Sequence, residues 1–290
     1  MRTLIIKTAS SRLPNKEIKS NFGDLIRYTI VLNCINDDYL WLTDEKGKSL
    51  LKYFVPENKI LTPKNFSGFL NEEFKIYNFD NYIFDEILFK LKGRWNGFIL
   101  KKDDVIPENE KIAMIQSYFK IKDNIDWQQN LIECLGFEWK EQDYINPNIS
   151  EKIEWDIGFN DNVHVEWISK KWPDEYWQEL KNLLEKEYTI SFQKGLNDFE
   201  EYIKWMSSCK IIITCDTLGL HLASALRKKV IVIKGPTKNM EHGYGRITFL
   251  YPQKRECMPC NSKECMHGKS CINEITPAMV KEEVIKLMRE

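Results

Sequence analysis

Short apolar segments alternate with amphipathic ones throughout the second half of the chain, and this alternation constrains the fold more than any other feature. Strands that alternate with helices imply parallel pairing with right-handed crossovers. We therefore predict an α/β domain with a doubly wound parallel sheet. In chain order, the predicted elements are strand 155–159, helix 173–186, strand 188–192, helix 197–208, strand 210–214, helix 218–226, strand 229–234 and helix 277–289.

The first half repeats this alternation less regularly. A polar stretch of Ser, Asn and Lys separates its first two predicted elements, and short apolar runs within 60–110 are interpreted as strands. The predicted elements are strand 3–7, helix 25–32, strand 38–43, a periodic segment ending at Phe54, strands within 81–91 and 98–100, and helices 110–119 and 127–136.

Residues 140–151 contain Pro147, several Asn and few apolar side chains, a composition typical of a linker. A length of 290 residues favours two domains. We therefore expect one domain over 1–145 and a second over 146–290.

Composition excludes several classes of protein. Forty-two basic and 43 acidic side chains leave a net charge of −1, which argues against a nucleic-acid binder. Apolar runs such as 211–213 are too short to cross a bilayer. The N-terminus has three consecutive apolar residues, fewer than a secretion signal needs. We expect a cytoplasmic globular protein without a transmembrane segment.

The segment 213–226 carries the strongest chemical pattern. Asp216 and Thr217 fall where a predicted strand gives way to a helix, and the next strand brings Gly235 and Thr237 to the same sheet edge. A helix N-terminus at that edge suits a phosphate or a pyrophosphate. The alternative is structural: Asp216 caps the helix, and His221 is a satisfied partner on its first turn.

Four blocks of sequence resemble glycosyltransferase family 9, the heptosyltransferases of bacterial surface polysaccharides. The resemblance covers most of the chain and is weakest over 60–150. In chain order, the blocks are 21–24, 41–47, 169–180 with its Lys-x-Trp-Pro helix start, and 216–237.

This resemblance implies a GT-B architecture, with two Rossmann-like domains facing a cleft. The N-terminal domain would hold the acceptor and the C-terminal domain the nucleotide-sugar donor. Asp24 resembles the family's catalytic base and Lys170 its donor-phosphate lysine. From the residues alone, Asp24 could instead be a helix N-cap, and Lys170 a solvated lysine.

The remaining donor-binding residues also follow from the resemblance. Gly219 lies three positions after Asp216, whereas some members of the family have glycine two positions after. Gln193 occupies the region where the family often has a glutamate that contacts the nucleoside. The expected donor-binding set is Lys170, Gln193, Asp216, Thr217, Leu218, Gly219, His221, Gly235 and Thr237.

Eight cysteines are unusual for a cytoplasmic protein if they form disulfides. Four lie within residues 257–271, beginning with a Cys-x-x-Cys pair, and suit a structural zinc or iron site. Paired disulfides and free thiols are the alternatives. The candidate ligands are Cys257, Cys260, Cys265 and Cys271, while the other four, Cys34, Cys134, Cys209 and Cys215, are interpreted as core residues.

The expected function is that of an inverting glycosyltransferase in lipopolysaccharide biosynthesis. It would transfer a sugar, heptose from ADP-heptose by resemblance, to a glycan or lipid-linked acceptor, with room for peripheral contact with the inner membrane. No cofactor is expected for the transfer. The alternative is a non-catalytic nucleotide-binding or metal-organised interaction module that keeps the fold; a zinc-ribbon binding protein is a weaker third.

Overall fold

The chain forms two compact units, Met1–Ile145 and Asn146–Glu290. The computed structural model describes residues 1–12, 17–102, 104–110, 112–113, 125–149, 151–194, 198–238, 241–253, 255–260 and 262–289.

A six-stranded sheet forms the centre of the first unit, in the order β5-β4-β1-β6-β7-β8. All neighbouring strands are parallel except β7 and β8. When the six strands of this sheet are renumbered 1 to 6 in chain order, the sheet has the order 3-2-1-4-5-6, which is that of doubly wound nucleotide-binding sheets. The strands are β1 (Arg2–Ile6), β4 (Tyr39–Leu42), β5 (Ile60–Leu61), β6 (Glu73–Asn78), β7 (Lys92–Lys101) and β8 (Asp104–Pro107), with a separate hairpin of β2 (Ser10–Arg12) and β3 (Ile18–Ser20).

Side-chain caps define where the first two helices of this unit begin. The Asn21 side chain accepts from the amide of Asp24, and that of Asp44 accepts from the amide of Gly47. Each cap satisfies an amide that has no partner within the helix. The described helices of the unit are α1 (Phe22–Tyr28), α2 (Glu45–Leu51) and α3 (Trp127–Cys134).

Several expectations for the first unit need correction. The predicted strand within 81–91 is wrong: the segment contains the 3-10 helix Glu86–Lys90, whose Leu88 is buried. The polar stretch before α1 contains the β2–β3 hairpin. The predicted helix over 110–119 lies largely outside the described residues. The linker-like stretch after α3 packs on the unit, since Tyr144 is buried and its hydroxyl accepts from Gln128.

The second unit contains a five-stranded parallel sheet in the order β10-β9-β11-β12-β13. This is the 2-1-3-4-5 order of the flavodoxin-like sheet, whose switch point lies between β9 and β11. The strands are β9 (Trp155–Asn160), β10 (Ile190–Phe192), β11 (Cys209–Cys215), β12 (Lys229–Ile233) and β13 (Ile247–Leu250). The first four match the predicted strands, and β13 was not predicted.

Each predicted helix of the second half is present. Apolar residues at helical spacing, such as Leu180 and Leu184, are buried against the sheet, and α4 packs beside α7. The helices are α4 (Asp174–Leu184), α5 (Phe199–Ser207), α6 (Leu218–Ala225) and α7 (Pro277–Arg289). The prediction of a doubly wound α/β fold is confirmed. Within the described residues, every helix falls short of the length and apolar character needed to cross a membrane.

Candidate functional site

Asp216 is the centre of a charged cluster at the carboxyl edge of the second sheet. Its Oδ2 accepts from Lys234 Nζ at 2.7 Å, from Thr237 Oγ1 at 2.7 Å and from Lys170 Nζ at 3.2 Å. Lys170 also donates to the backbone carbonyl of Asp216, at 3.2 Å. Two ammonium groups therefore share one carboxylate oxygen.

Three chain segments meet to build this cluster. Asp216 follows β11, Lys234 follows β12, and Lys170 ends the 3-10 helix Ile168–Lys170. Gly235 allows the segments to approach, because a Cβ there would lie 3.0 Å from the carbonyl oxygen of Ser169. A larger residue at 235 would push the Lys170 segment away from the sheet edge.

The electrostatics of the cluster favour an anion. Burial opposes ionisation of Asp216, but Lys170 and Lys234 outweigh it and hold the pKa of the carboxyl well below its usual range. One carboxylate against two lysines leaves a net positive charge. The cluster adjoins the N-terminus of α6, where Thr217 is the N-cap and accepts from the amide of Gly219 at 3.2 Å. Lysines beside a helix N-terminus form an arrangement suited to phosphate groups.

Asn160, which sequence reasoning missed, organises the switch point of this sheet. It ends β9, is buried, and donates to Thr214 Oγ1 at 2.8 Å and to Thr217 Oγ1 at 3.3 Å. Its Oδ1 accepts from the hydroxyl of Tyr202 at 2.7 Å. Asn160 thus connects the N-cap of α6 to the neighbouring strand and to α5. An asparagine directly after an apolar strand was the available signal.

The other expected donor-binding residues lie along the same edge. Gln193 follows β10, and its backbone amide bonds to the Phe159 carbonyl at 3.1 Å. Among the described residues, Gln193 Oε1 is buried without a hydrogen-bond partner. Leu218 and His221 belong to α6 and are half-buried. The structure therefore places the expected residues of the second unit at or next to one edge.

Asp24 lies in the first unit, inside α1 rather than at its N-cap. Asn21 is the cap, so the alternative in which Asp24 caps the helix is wrong. Asn21 Nδ2 donates to Asp24 Oδ2 at 2.5 Å, and Arg27 Nη1 donates to Oδ1 at 3.2 Å. The Arg27 guanidinium is buried over the ring of Trp127, 3.8 Å from its centroid. Asp24 is thus a half-buried, oriented carboxylate.

A buried ion pair fixes the segment that leads to Asp24. Lys7, directly after β1, donates to Asp80 Oδ1 at 2.7 Å and to the Ser10 carbonyl at 3.0 Å. The amide of Thr8 donates to the other oxygen of Asp80 at 2.8 Å. These bonds secure the carboxyl end of β1. Sequence reasoning missed both charged residues, which lie beside apolar strands.

Of the four cysteines within 257–271, three lie in turns or irregular segments and Cys271 begins a 3-10 helix. Among the described residues, no group of three or more His, Cys, Asp or Glu side chains is placed to hold a metal ion. Cys271 is buried in a 3-10 helix, whereas Cys260 is exposed. The role of these four cysteines as ligands of zinc or iron therefore stays a prediction.

The cysteine-rich loop contacts the charged cluster through its backbone. The amide of Cys260 bonds to the Pro236 carbonyl at 3.1 Å, and that of Ser169 to the Lys263 carbonyl at 2.9 Å. Ser270 Oγ donates to the Ser169 carbonyl at 3.3 Å. The loop therefore braces the segments that carry Lys170 and Thr237.

The other four cysteines fit the expected core role in part. Cys209 and Cys215 are buried, while Cys34 and Cys134 are half-buried. Burial raises the pKa of both Cys209 and Cys215 to about 12. Both thiols are therefore protonated at neutral pH, and the one beside Asp216 is not a nucleophile.

Sequence comparison links the second unit to a known family. Residues 194–270 match the model of glycosyltransferase family 9 (heptosyltransferase). Lipooligosaccharide heptosyltransferase 2 of Campylobacter jejuni is 30% identical over 82 residues, which are 27% of this chain and 26% of that protein. The chain thus aligns with about a quarter of the length of this curated relative.

Solved structures extend the likeness over the whole fold. The alignment with a family 9 glycosyltransferase of Veillonella parvula covers 99% of this chain and 96% of that protein, with a TM-score of 0.61 and 16% identity. The alignment with E. coli heptosyltransferase WaaC, solved with ADP-2-deoxy-2-fluoro heptose, covers 99% of both chains, with a TM-score of 0.57 and 14% identity. The alignment with TibC, an iron-containing dodecameric glycosyltransferase from E. coli, has a TM-score of 0.58 at 13% identity. It covers 99% of this chain and 76% of the TibC chain.

These structures share two Rossmann-like α/β units with the chain, which confirms the expected GT-B fold. The matched residues 194–270 include α6, Asp216 and the loop after β12. Sequence and fold therefore agree: residues 194–270 match glycosyltransferase family 9, and the whole chain is similar in fold to solved heptosyltransferases of the GT-B type.

Proposed function

We propose that the chain is an inverting glycosyltransferase that transfers a sugar from a nucleotide-sugar donor to a bacterial surface glycan or lipopolysaccharide precursor. ADP-heptose is the first candidate donor, since structures similar in fold were solved with ADP or with an ADP-heptose analogue. The observation that carries the proposal is the net positive cluster of Lys170, Lys234 and Asp216 beside the N-terminus of α6.

The cluster suits the departure of a diphosphate. As the bond from the anomeric carbon to the diphosphate breaks, negative charge grows on the leaving oxygen. Cations and backbone amides held in place beforehand stabilise that charge without reorganisation. Lys170 and the first amides of α6 would supply this stabilisation, and Gly235 and Thr237 would shape the loop beside it.

Asp24 would be the base of the reaction. The acceptor hydroxyl loses its proton to this carboxylate while its oxygen attacks the anomeric carbon, on the side opposite the diphosphate. The bonds from Asn21 and Arg27 give the carboxylate one orientation. We assign the acceptor to the first unit and the donor to the second.

Gln193 would contact the nucleoside of the donor. A buried carbonyl oxygen without a partner costs free energy unless a ligand donates to it. Among the described residues, Gln193 Oε1 is such an atom. An amine of the base or a hydroxyl of the ribose would satisfy it.

One observation favours the alternative, a nucleotide-binding module without transfer activity. Both carboxylate oxygens of Asp24 already accept hydrogen bonds, from Asn21 and Arg27. A proton acceptor must give up or share one of those bonds. The donor cluster would be kept in such a module, so nucleotide binding alone does not separate the two functions.

We place the protein in the cytoplasm, where its thiols would stay reduced. No disulfide joins any of the described cysteines, which fits a reducing compartment. Peripheral contact with the inner membrane would then depend on a lipid-linked acceptor.

The donor can be identified by a thermal-shift screen of nucleotide sugars and free nucleotides. We expect ADP-heptose and ADP to raise the melting temperature more than the UDP and GDP counterparts.

Calorimetry with ADP then tests the site: Lys170→Ala should weaken binding by about tenfold or more, because it removes a charge-assisted contact to phosphate. Lys171→Ala is the matched control, since Lys171 is exposed and pairs with Asp174. Equal affinity of the two variants would contradict the proposed site.

A further inference from the structure

The two lysines on Asp216 differ in their freedom to move. The Lys234 side chain is 2% exposed and its ammonium lies 2.7 Å from Asp216 Oδ2. The Lys170 side chain is 17% exposed and its ammonium lies 3.2 Å from the same atom. The shorter, buried pair is the stronger one, because less water competes for it.

The backbone also holds Lys234 more firmly. Lys234 directly follows β12, and its amide bonds to the Leu250 carbonyl at 2.9 Å, at the end of β13. Lys170 comes from a single 3-10 turn, and its ammonium lies 4.9 Å from the centre of the Trp167 ring. Lys170 can therefore leave the carboxylate through a change in its own side chain.

We propose that Lys234 is the permanent counter-ion of Asp216 and that Lys170 is an exchangeable one, which moves from Asp216 to the diphosphate when a nucleotide-sugar donor binds. The assignment rests on the proposed function for the identity of the ligand. Lys234 would be a positioning residue, since it acts through Asp216.

Charge balance gives the physical reason for two lysines. A mostly desolvated carboxylate that loses its only cation is destabilised, so a single lysine would be trapped on Asp216, whose side chain is 13% exposed. Lys234 and Thr237 keep Asp216 compensated after Lys170 departs. The Lys170 ammonium, which lies next to the diphosphate site before the donor binds, can then bind the diphosphate.

Trace acetylation with acetic anhydride tests this exchange. Mass spectrometry measures the extent of acetylation at each lysine, with and without inorganic pyrophosphate, which serves as the anion. In the unliganded protein, Lys170 should react faster than the buried Lys234. Pyrophosphate should protect Lys170 several-fold and leave Lys234 unchanged. Asp216→Asn should speed acetylation of Lys170 without ligand, and Lys234→Met should slow it, because Lys170 becomes the only counter-ion.

Calorimetry with ADP supplies the second arm. Lys234→Met should weaken ADP binding by about tenfold although Lys170 is intact. In the Asp216→Asn background, the same substitution should have little effect, because no carboxylate then retains Lys170. Lys229→Met is the control, since Lys229 lies in β12 and its ammonium bonds to the Leu287 carbonyl.

Protection of Lys234 instead of Lys170, or no protection at all, would overturn the assignment, as would unchanged ADP affinity in folded Lys234→Met. If Lys234→Met fails to fold, Asp216→Asn labelling decides: unchanged Lys170 reactivity overturns the proposal. Correct labelling without sugar transfer from any donor would instead reject the proposed function and keep the lysine assignment.

Discussion

Gly219 packs directly against the side chain of Asn160: a Cβ at position 219 would lie 2.1 Å from Asn160 Nδ2. The absence of a side chain there lets the first turn of α6 rest on the end of β9. This contact sets where the N-terminus of α6 lies relative to the sheet edge, and so where its amides meet a phosphate.

We therefore expect Gly219→Ala to damage both stability and binding. Overpacking of this kind costs about 1–3 kcal/mol of unfolding free energy. Chemical denaturation measures that loss, and calorimetry should show weaker ADP binding. Gly68→Ala is the control, since a Cβ at Gly68 meets nothing within 4 Å. Equal stability of the two variants would show that the Asn160 contact yields freely.

Removing the Tyr202 hydroxyl should destabilise the second unit through Asn160. Tyr202→Phe leaves the buried Asn160 Oδ1 without this donor, at a cost of about 1–3 kcal/mol. Chemical denaturation gives the unfolding free energy of Tyr202→Phe. The control is Tyr188→Phe, because the half-buried Tyr188 ring packs against the core of the same unit. A loss below about 0.5 kcal/mol would mean that Asn160 is held without Tyr202.

Asp216 should contribute to acid sensitivity. Its pKa in the folded protein lies well below the ordinary value near 4, so the folded state favours the ionised form. The stabilisation is therefore complete above that ordinary value and is lost as pH falls from about 4 through the folded pKa. Melting temperatures between pH 7 and pH 3 should fall less steeply for Asp216→Asn than for the wild type. Parallel curves would contradict the assigned ionisation.

The cysteines should separate by reactivity with iodoacetamide at pH 8. Cys260 is exposed and should be alkylated in the native protein, whereas Cys209 and Cys215 have a pKa of about 12 and are buried. These two should react only after denaturation, because the thiolate is the nucleophile. Mass spectrometry of each cysteine peptide gives the order. Rapid native alkylation of Cys215 would show that its strand opens.

The sequence predicts the second unit well, because its central strands are apolar runs that have few alternatives to burial. Residues 209–215 and 229–233 illustrate this. The strand Ile247–Leu250 escaped prediction because its residues are only half-buried and the segment is short. In the first unit, the apolar run of 81–91 resembles a strand, but it packs as a 3-10 turn and irregular loops.

The site was predictable only where polar residues stand out from their surroundings. Asp216 and Thr217 follow a strand and precede a helix, a position that points to a ligand. Asn160 ends a strand and Lys234 directly follows one. The role of each residue depends on a partner that is distant in sequence, Tyr202 for Asn160 and Asp216 for Lys234. The cysteine spacing suggested a metal, yet spacing alone does not determine whether four thiols converge.

Acceptor-dependent release of ADP from ADP-heptose by the wild type and by Asp24→Asn tests whether the protein transfers a sugar with Asp24 as the base. A lipopolysaccharide precursor without heptose serves as acceptor, and Glu45→Gln, an exposed first-turn acid of α2, is the control. We predict turnover by the wild type and the control, and a fall of about 10²–10⁴ in kcat for Asp24→Asn with ADP affinity nearly unchanged. Wild-type turnover by Asp24→Asn, or no turnover by the wild type with any nucleotide sugar that it binds, would contradict the account.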